Sequence, residues 1–175
     1  SEAEDVLRRF EEELRRDDEK NERVLRRNEE TNRRDDETNR DVLRRNKESL
    51  DKLRKRGLDE EVVKRLREVH ERVREETKKL NREHKKAHED VKRDTEDLKR
   101  RMEDELRRVE DEVRKRGSAD KRIKDELRKL LKRSEERSEE LRRRLEDLDR
   151  RSKETSDKLR EELERLDRDV ERKVN

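Results

Sequence analysis

A period of 18 residues runs along this chain. Val6-Leu7-Arg8-Arg9 returns as Val24-Leu25-Arg26-Arg27 and again as Val42-Leu43-Arg44-Arg45. Further on, Val73 returns as Val91 and Val109, Thr77 as Thr95, His70 as His88, and Leu127 as Leu145 and Leu163. Such a period corresponds to five turns of an α-helix at about 3.6 residues per turn. A seam with this spacing stays on one face of an uncoiled helix, whereas a heptad seam winds into a left-handed supercoil. The repeat therefore predicts nearly straight helices. At about 100° per residue the uncharged positions of each helix fall in one stripe roughly 120–140° wide. One stripe per helix means one shared core and no second apolar face, which predicts a monomer.

The two glycines, Gly57 and Gly117, cut the chain into three segments of nearly equal length. Each follows a basic run, Arg54-Lys55-Arg56 or Arg114-Lys115-Arg116, as suits the negative end of a helix dipole. Asp59 precedes Glu60 and Glu61 and reads as an N-cap. Ser118, with Asp120 in the first turn, reads as the next cap, and Ser1 with Glu4 as a capping box. The expectation is one domain, 1–175, of three helices over about 2–56, 60–116 and 119–174. Loops this short force an up-down-up order of antiparallel neighbours. Each helix would be roughly 85 Å long. Val6, Leu7, Phe10 and Leu14 should then pack with Val109, Val113, Leu127 and Leu131, and Val42, Leu43, Leu50 and Leu53 with Val62, Leu66, Leu163 and Leu166.

Charged residues make up 65% of the chain and apolar ones 22%, far from the roughly 25% charged of an ordinary domain. Low hydrophobicity alone would suggest disorder, but 58 basic and 55 acidic side chains nearly cancel and leave a formal charge of only +3. Opposite charges alternate within single turns, as in Arg33-Arg34-Asp35-Asp36-Glu37. That pattern describes a solvated helix face and not the one-sided basic stripe of a nucleic-acid binder. There is no cysteine for a disulfide or thiolate site, and no apolar run of membrane-spanning length. Ser1-Glu2-Ala3-Glu4-Asp5 is acidic and lacks the apolar core of a signal peptide. The expectation is a soluble chain with no cofactor and no partner.

The interior stripes carry an unusual number of polar residues. Between Leu25 and Val42 the first helix has no apolar residue, and its stripe holds Asn28, Thr31, Asn32, Asp35, Thr38 and Asn39. Folding at the two glycines brings Thr77, Asn81, His84 and His88 of the second helix to that height, with Ser152, Thr155 and Ser156 of the third. Asn21 should lie near Thr95 and Ser138, and Asn46 near His70. A buried polar group without a partner costs about 1–3 kcal/mol, so these residues must bond to one another or to trapped water. Satisfied networks of this kind fix helix register.

Equal helices, an 18-residue repeat, short glycine loops and Asn/Thr/Ser/His layers together resemble parametrically designed helical bundles with buried hydrogen-bond networks. The resemblance covers the whole chain. It implies a structural scaffold and brings no catalytic motif with it. The long polar stretch of the first helix departs from the habit of alternating polar and apolar layers. A spectrin-like repeat shares the topology but usually carries several core aromatics, where this chain has only Phe10. A single long charged helix would need neither the stripes nor the glycines.

Other functions have weaker footing. His84 and His88, four residues apart, can chelate a divalent metal with Asp35 as a third ligand, but no matching pair stands elsewhere. Ser152, His84 and Asp35 share one height, yet nothing marks an oxyanion hole, so no enzyme is expected. A small polar ligand is a further alternative. Buried neutral histidines at 70, 84 and 88 would resist protonation and make the fold sensitive to acid.

Overall fold

The computed structural model describes residues 2–116 and 121–174, apart from the side chain of Val174. Within them lie α1 (Glu2–Lys55), α2 (Glu60–Arg116) and α3 (Lys121–Val174), and no strand. The expected all-helical three-helix fold is therefore the observed one; the expected start of the third helix lies outside the described residues.

The first turn forms as its residues demand. Gly57 sits at φ 74, in the left-handed region where a side chain would be strained. Its N–H donates to the Arg54 carbonyl at 3.3 Å, and the Arg56 N–H reaches the carbonyls of Lys52 and Leu53, so the last turn of α1 closes on itself. Asp59 then caps α2, its Oδ1 accepting the Glu61 N–H at 3.2 Å. The proposed caps at Ser1, Ser118 and Asp120, and the turn at Gly117, lie outside the described residues.

Contacts along the chain divide it into two compact units: unit 1 is Ser1–Asn28 with His88–Asp147, and unit 2 is Glu29–Ala87 with Leu148–Asn175. All three helices contribute to each. In unit 1, α1 runs parallel to α3: Glu2 meets Lys124 and Asn21 meets Arg142. In unit 2, α1 runs antiparallel to α2, because Asn32 meets His84 and Asn46 meets His70. There too α3 runs antiparallel to α2, with Arg72 on Glu162 and His84 by Asp149.

Each unit holds an apolar cluster where the stripes predicted one. In unit 1, Phe10, Leu14, Val109, Val113 and Leu127 are buried, with Val6, Leu7 and Leu131 packed against them. A second cluster joins Val91, Leu141 and Leu145. In unit 2, Leu50, Leu53, Leu66, Leu163 and Leu166 are buried, flanked by Val42, Leu43 and Val62. Each such side chain contributes about 1.5–3 kcal/mol on burial. Among the described residues no large apolar side chain is exposed.

Candidate functional site

The polar residues form a four-residue module in unit 1. Asn21 donates its Nδ2–H to Ser138 Oγ at 3.0 Å, and Ser138 in turn donates its hydroxyl to Asp17 Oδ2. Arg142 Nη1 donates to Asn21 Oδ1 at 2.7 Å and to Asp17 Oδ1 at 3.3 Å. Both charged side chains are largely withdrawn from water, Arg142 at 14% and Asp17 at 12% exposure. The amide of Asn21 is thus used on both sides, and the serine hydroxyl both donates and accepts.

The residues recur 18 further on in unit 2, with the Asn–Ser and Arg–Asn bonds kept but, among the described residues, no serine–aspartate bond. Asn39 donates to Ser156 Oγ at 3.3 Å, Arg160 Nε donates to Asn39 Oδ1 at 3.1 Å, and Arg160 faces Asp35 at 3.7 Å. Each of the four residues occupies the repeat position of its counterpart in unit 1.

A second module pairs asparagine with histidine. In unit 2, Asn46 is fully buried and donates Nδ2–H to Asp167 Oδ1 at 2.8 Å. A carboxylate can only accept, so the amide oxygen of Asn46 must point the other way, towards His70 Nδ1 at 2.5 Å. His70 therefore carries its proton on Nδ1. In unit 1, the same contact joins Asn28 Oδ1 and His88 Nδ1 at 2.5 Å. His84 of unit 2 takes the opposite tautomer: Asn32 Nδ2 donates to its Nδ1, and its Nε2 faces Asp149 Oδ1 at 3.6 Å. Burial holds the His70 imidazole below its ordinary pKa of 6.5. Arg74 and Lys47 push the same way, while Glu71 and Asp167 oppose them.

The threonines do not behave as cross-helix network members. Thr77 and Thr95 lie in the α2 stripe but donate back to the Val73 and Val91 carbonyls of their own helix, both at 2.8 Å. Thr38 makes the same local bond to Arg34 from the exposed surface, and Thr31 and Thr155 are exposed as well. At about 100° per residue, the buried positions of α1 span a stripe only about 60° wide, and Thr31 and Thr38 fall roughly 70° and 90° from its centre. Asn81 is half-buried and donates to Asp36. Ser152 is buried, as is Ser134, whose place in the interior the sequence reading did not assign. Also missed were Asp17, Arg142, Arg160 and Asp167, which complete the modules. Their signal was present in the repeat, since Asp17 and Asp35, Arg142 and Arg160, and Asp149 and Asp167 are each 18 apart.

Among the described residues, the closed-off side-chain atoms lacking a partner are Glu112 Oε2, Glu126 Oε2 and Glu162 Oε2. None belongs to an asparagine, histidine, serine or threonine of the modules. The arrangement does not assemble a relay: His84 is engaged by Asn32 and Asp149, while Asp35 lies against Arg160. That also removes Asp35 as a third metal ligand, and no group of three His, Cys, Asp or Glu side chains suited to a metal occurs among the described residues. No described helix is long and apolar enough to cross a membrane. Compared with protein-family models, curated proteins and solved structures, the chain matches none of them.

Proposed function

We propose that this chain is a designed, monomeric scaffold whose polar modules set which helix faces pair and in what register, without catalysis and without an obligatory partner. The observation that carries this reading is the recurrence of the same pair of bonds, Asn21 to Ser138 with Arg142 to Asn21 and Asn39 to Ser156 with Arg160 to Asn39, at the spacing of the sequence repeat. Reuse of a single solution at a fixed period is what a parametrically built bundle calls for. The absence of exposed large apolar side chains among the described residues supports the monomer.

The test replaces both modules by leucine and alanine. Buried polar groups exchanged for apolar ones of similar size leave stability unchanged or raise it, whereas register loses its guide. Several sets of backbone NMR resonances are expected in the variant and one set in the parent. One set in both would reject the role in register. Light scattering should give the monomer mass of 21.9 kDa; a dimer mass would reject the monomer.

A second reading, an acid-responsive bundle, is favoured by the depressed pKa of His70. The groups facing that ring are Lys47 on α1, Glu71 and Arg74 on α2 and Asp167 on α3. Replacing His70, His84 and His88 together by asparagine should abolish an acid transition below pH ~6.5. An unchanged transition would reject this reading.

A further inference from the structure

A groove of about 540 Å³ opens between α1 and α2 in unit 2. Its lining is mixed: Leu43 and Leu50 supply apolar surface, six basic side chains stand against three carboxylates, and His70 reaches in from the core. Four of the cations are already paired, Arg40 with Asp36 at 3.0 Å, Arg44 with Asp41 at 3.4 Å, Arg74 with Glu71 at 3.7 Å and Lys78 with Glu75 at 4.0 Å, which leaves Lys47 and Arg67 against the lining carboxylate Asp51. Lys47 and Arg67 have no ion-pair partner among the described residues, so the groove keeps uncompensated positive charge.

His70 makes the groove more than a basic surface. It is only 5% exposed, and its Nδ1–H is committed to Asn46 Oδ1. The neutral ring must then present a lone pair at Nε2, and that atom has no partner in the protein. Nε2 is not among the sealed-off atoms either, so it is reached from the groove that His70 lines. The site therefore asks for two things together: a hydrogen-bond donor for Nε2 and negative charge for Lys47 and Arg67.

A carboxylate or sulfate supplies charge but no proton. An alcohol supplies a donor but no charge. A divalent metal would take the lone pair but meets surplus positive charge. A singly protonated phosphate monoester satisfies both demands, having one P–O–H and a net negative charge near its second pKa of about 6. We propose that this groove is a binding site for phosphate monoesters bearing a small apolar group, with the phosphate hydroxyl donating to His70 Nε2 and the apolar group lying on Leu43 and Leu50. Asn46 and Asp167 act as positioning residues, since together they hold the His70 proton on Nδ1.

The probe is phenyl phosphate, titrated at pH 6.5 and low salt, because charges on an open rim are screened. Phenyl sulfate (charge and ring without the proton) and benzyl alcohol (ring and hydroxyl without the charge) are the controls. Phenyl phosphate should bind about tenfold or more tightly than either, the order expected of one charge-assisted hydrogen bond. In ¹⁵N NMR the His70 Nε2 resonance should move away from its lone-pair position on saturation. His70→Phe would strand the Asn46 carbonyl and disturb the core, so the decisive variant is Lys47→Glu on the exposed rim. It should weaken phenyl phosphate about threefold or more and leave benzyl alcohol unchanged. Phenyl sulfate binding as tightly as the phosphate, an unmoved Nε2 resonance at saturation, or indifference to Lys47→Glu would each overturn the proposal.

Discussion

Asp18 and Asp36 occupy the same position of the repeat but have different neighbours, and substituting them should move stability in opposite directions. Asp36 accepts a hydrogen bond from Asn81 and pairs with Arg40 at 3.0 Å. Eighteen residues earlier, Asp18 has Lys99 where Asp36 has Asn81, and Glu22 where Asp36 has Arg40. Burial pushes the Asp18 carboxyl up from 3.8 to about 6; Lys99 opposes the shift, and Asp17, Glu103 and Glu22 add to it. An acid whose folded pKa lies above its unfolded one takes up its proton first in the folded state. Its ionisation therefore costs stability fully above pH 6, and that cost disappears as pH falls towards 3.8. At about 1.36 kcal/mol per pKa unit the ceiling is about 3 kcal/mol. Asp18 is still partly in water, and screening reduces this to about 1–2 kcal/mol. Asp18→Asn should then raise the melting temperature by roughly 2–8 °C at pH 7.4, for a chain of this size. The gain should shrink at pH 5 and vanish near pH 4. Asp36→Asn should instead destabilise by about 0.5–1 kcal/mol at pH 7.4 by weakening a charge-assisted bond. Thermal melts by circular dichroism across this pH range, with amide exchange at Val24 and Val91 reporting on unit 1, decide the matter. A neutral or destabilising Asp18→Asn at pH 7.4, or a gain that persists unchanged at pH 4, would refute the reasoning.

Asn46→Leu should cost about 2–4 kcal/mol in urea unfolding, because it strands the His70 Nδ1–H and one oxygen of Asp167; adding His70→Leu should recover much of the loss. His70 should titrate below 6.5 by NMR, so its contribution to stability is present above pH ~6.5 and is lost as pH falls through the folded value; a measured value above 6.5 would contradict the burial argument. Alanine at Thr31, Thr38 or Thr155 should change stability by less than about 0.5 kcal/mol, since all three are exposed.

The helices and the first turn were legible because period, glycine and capping residues are local signals. The apolar clusters were legible for a related reason: reading the two glycines as turns puts stripe positions at one height together. The polar interior was readable only in outline. Asn21 with Ser138 and Asn46 with His70 followed from height alone. Thr31, Thr38 and Thr155 were placed inside because an inferred stripe of roughly 120–140° is wider than the face the neighbouring helices cover. Asp17, Arg142, Arg160 and Asp167 were passed over because a charged residue in a chain that is 65% charged reads as solvated. Long side chains at a stripe edge can instead bend inward and deliver the head group to a buried amide. The groove at His70 was beyond reach, since it depends on which imidazole nitrogen Asn46 occupies.

The serines of α3 show which part of each module determines register. Ser134 lies four residues before Ser138, and Ser152 four before Ser156, and all four are buried. If α3 slipped by one turn in unit 1, Ser134 would arrive where Ser138 stands, and Asn21 would find a hydroxyl as before. The same slip in unit 2 would bring Ser152 to Asn39. The apolar layers oppose such a shift, because it would carry Glu126, Arg137 and Glu162 into the buried places of Leu130, Leu141 and Leu166. The arginines do not tolerate it, because Ser138 would then stand in place of Arg142, leaving Asn21 Oδ1 and Asp17 without the guanidinium that binds both. The Asn–Ser bonds alone are therefore indifferent to a one-turn slip, and the contacts of Arg142 and Arg160 oppose it together with the apolar layers. Arg142→Leu with Arg160→Leu should therefore keep a single set of α3 amide resonances, with cross-helix distances to Asn21 and Asn39 at the parent register and helicity unchanged. A second set in the slipped frame would show that the arginines, and not the apolar layers, exclude it.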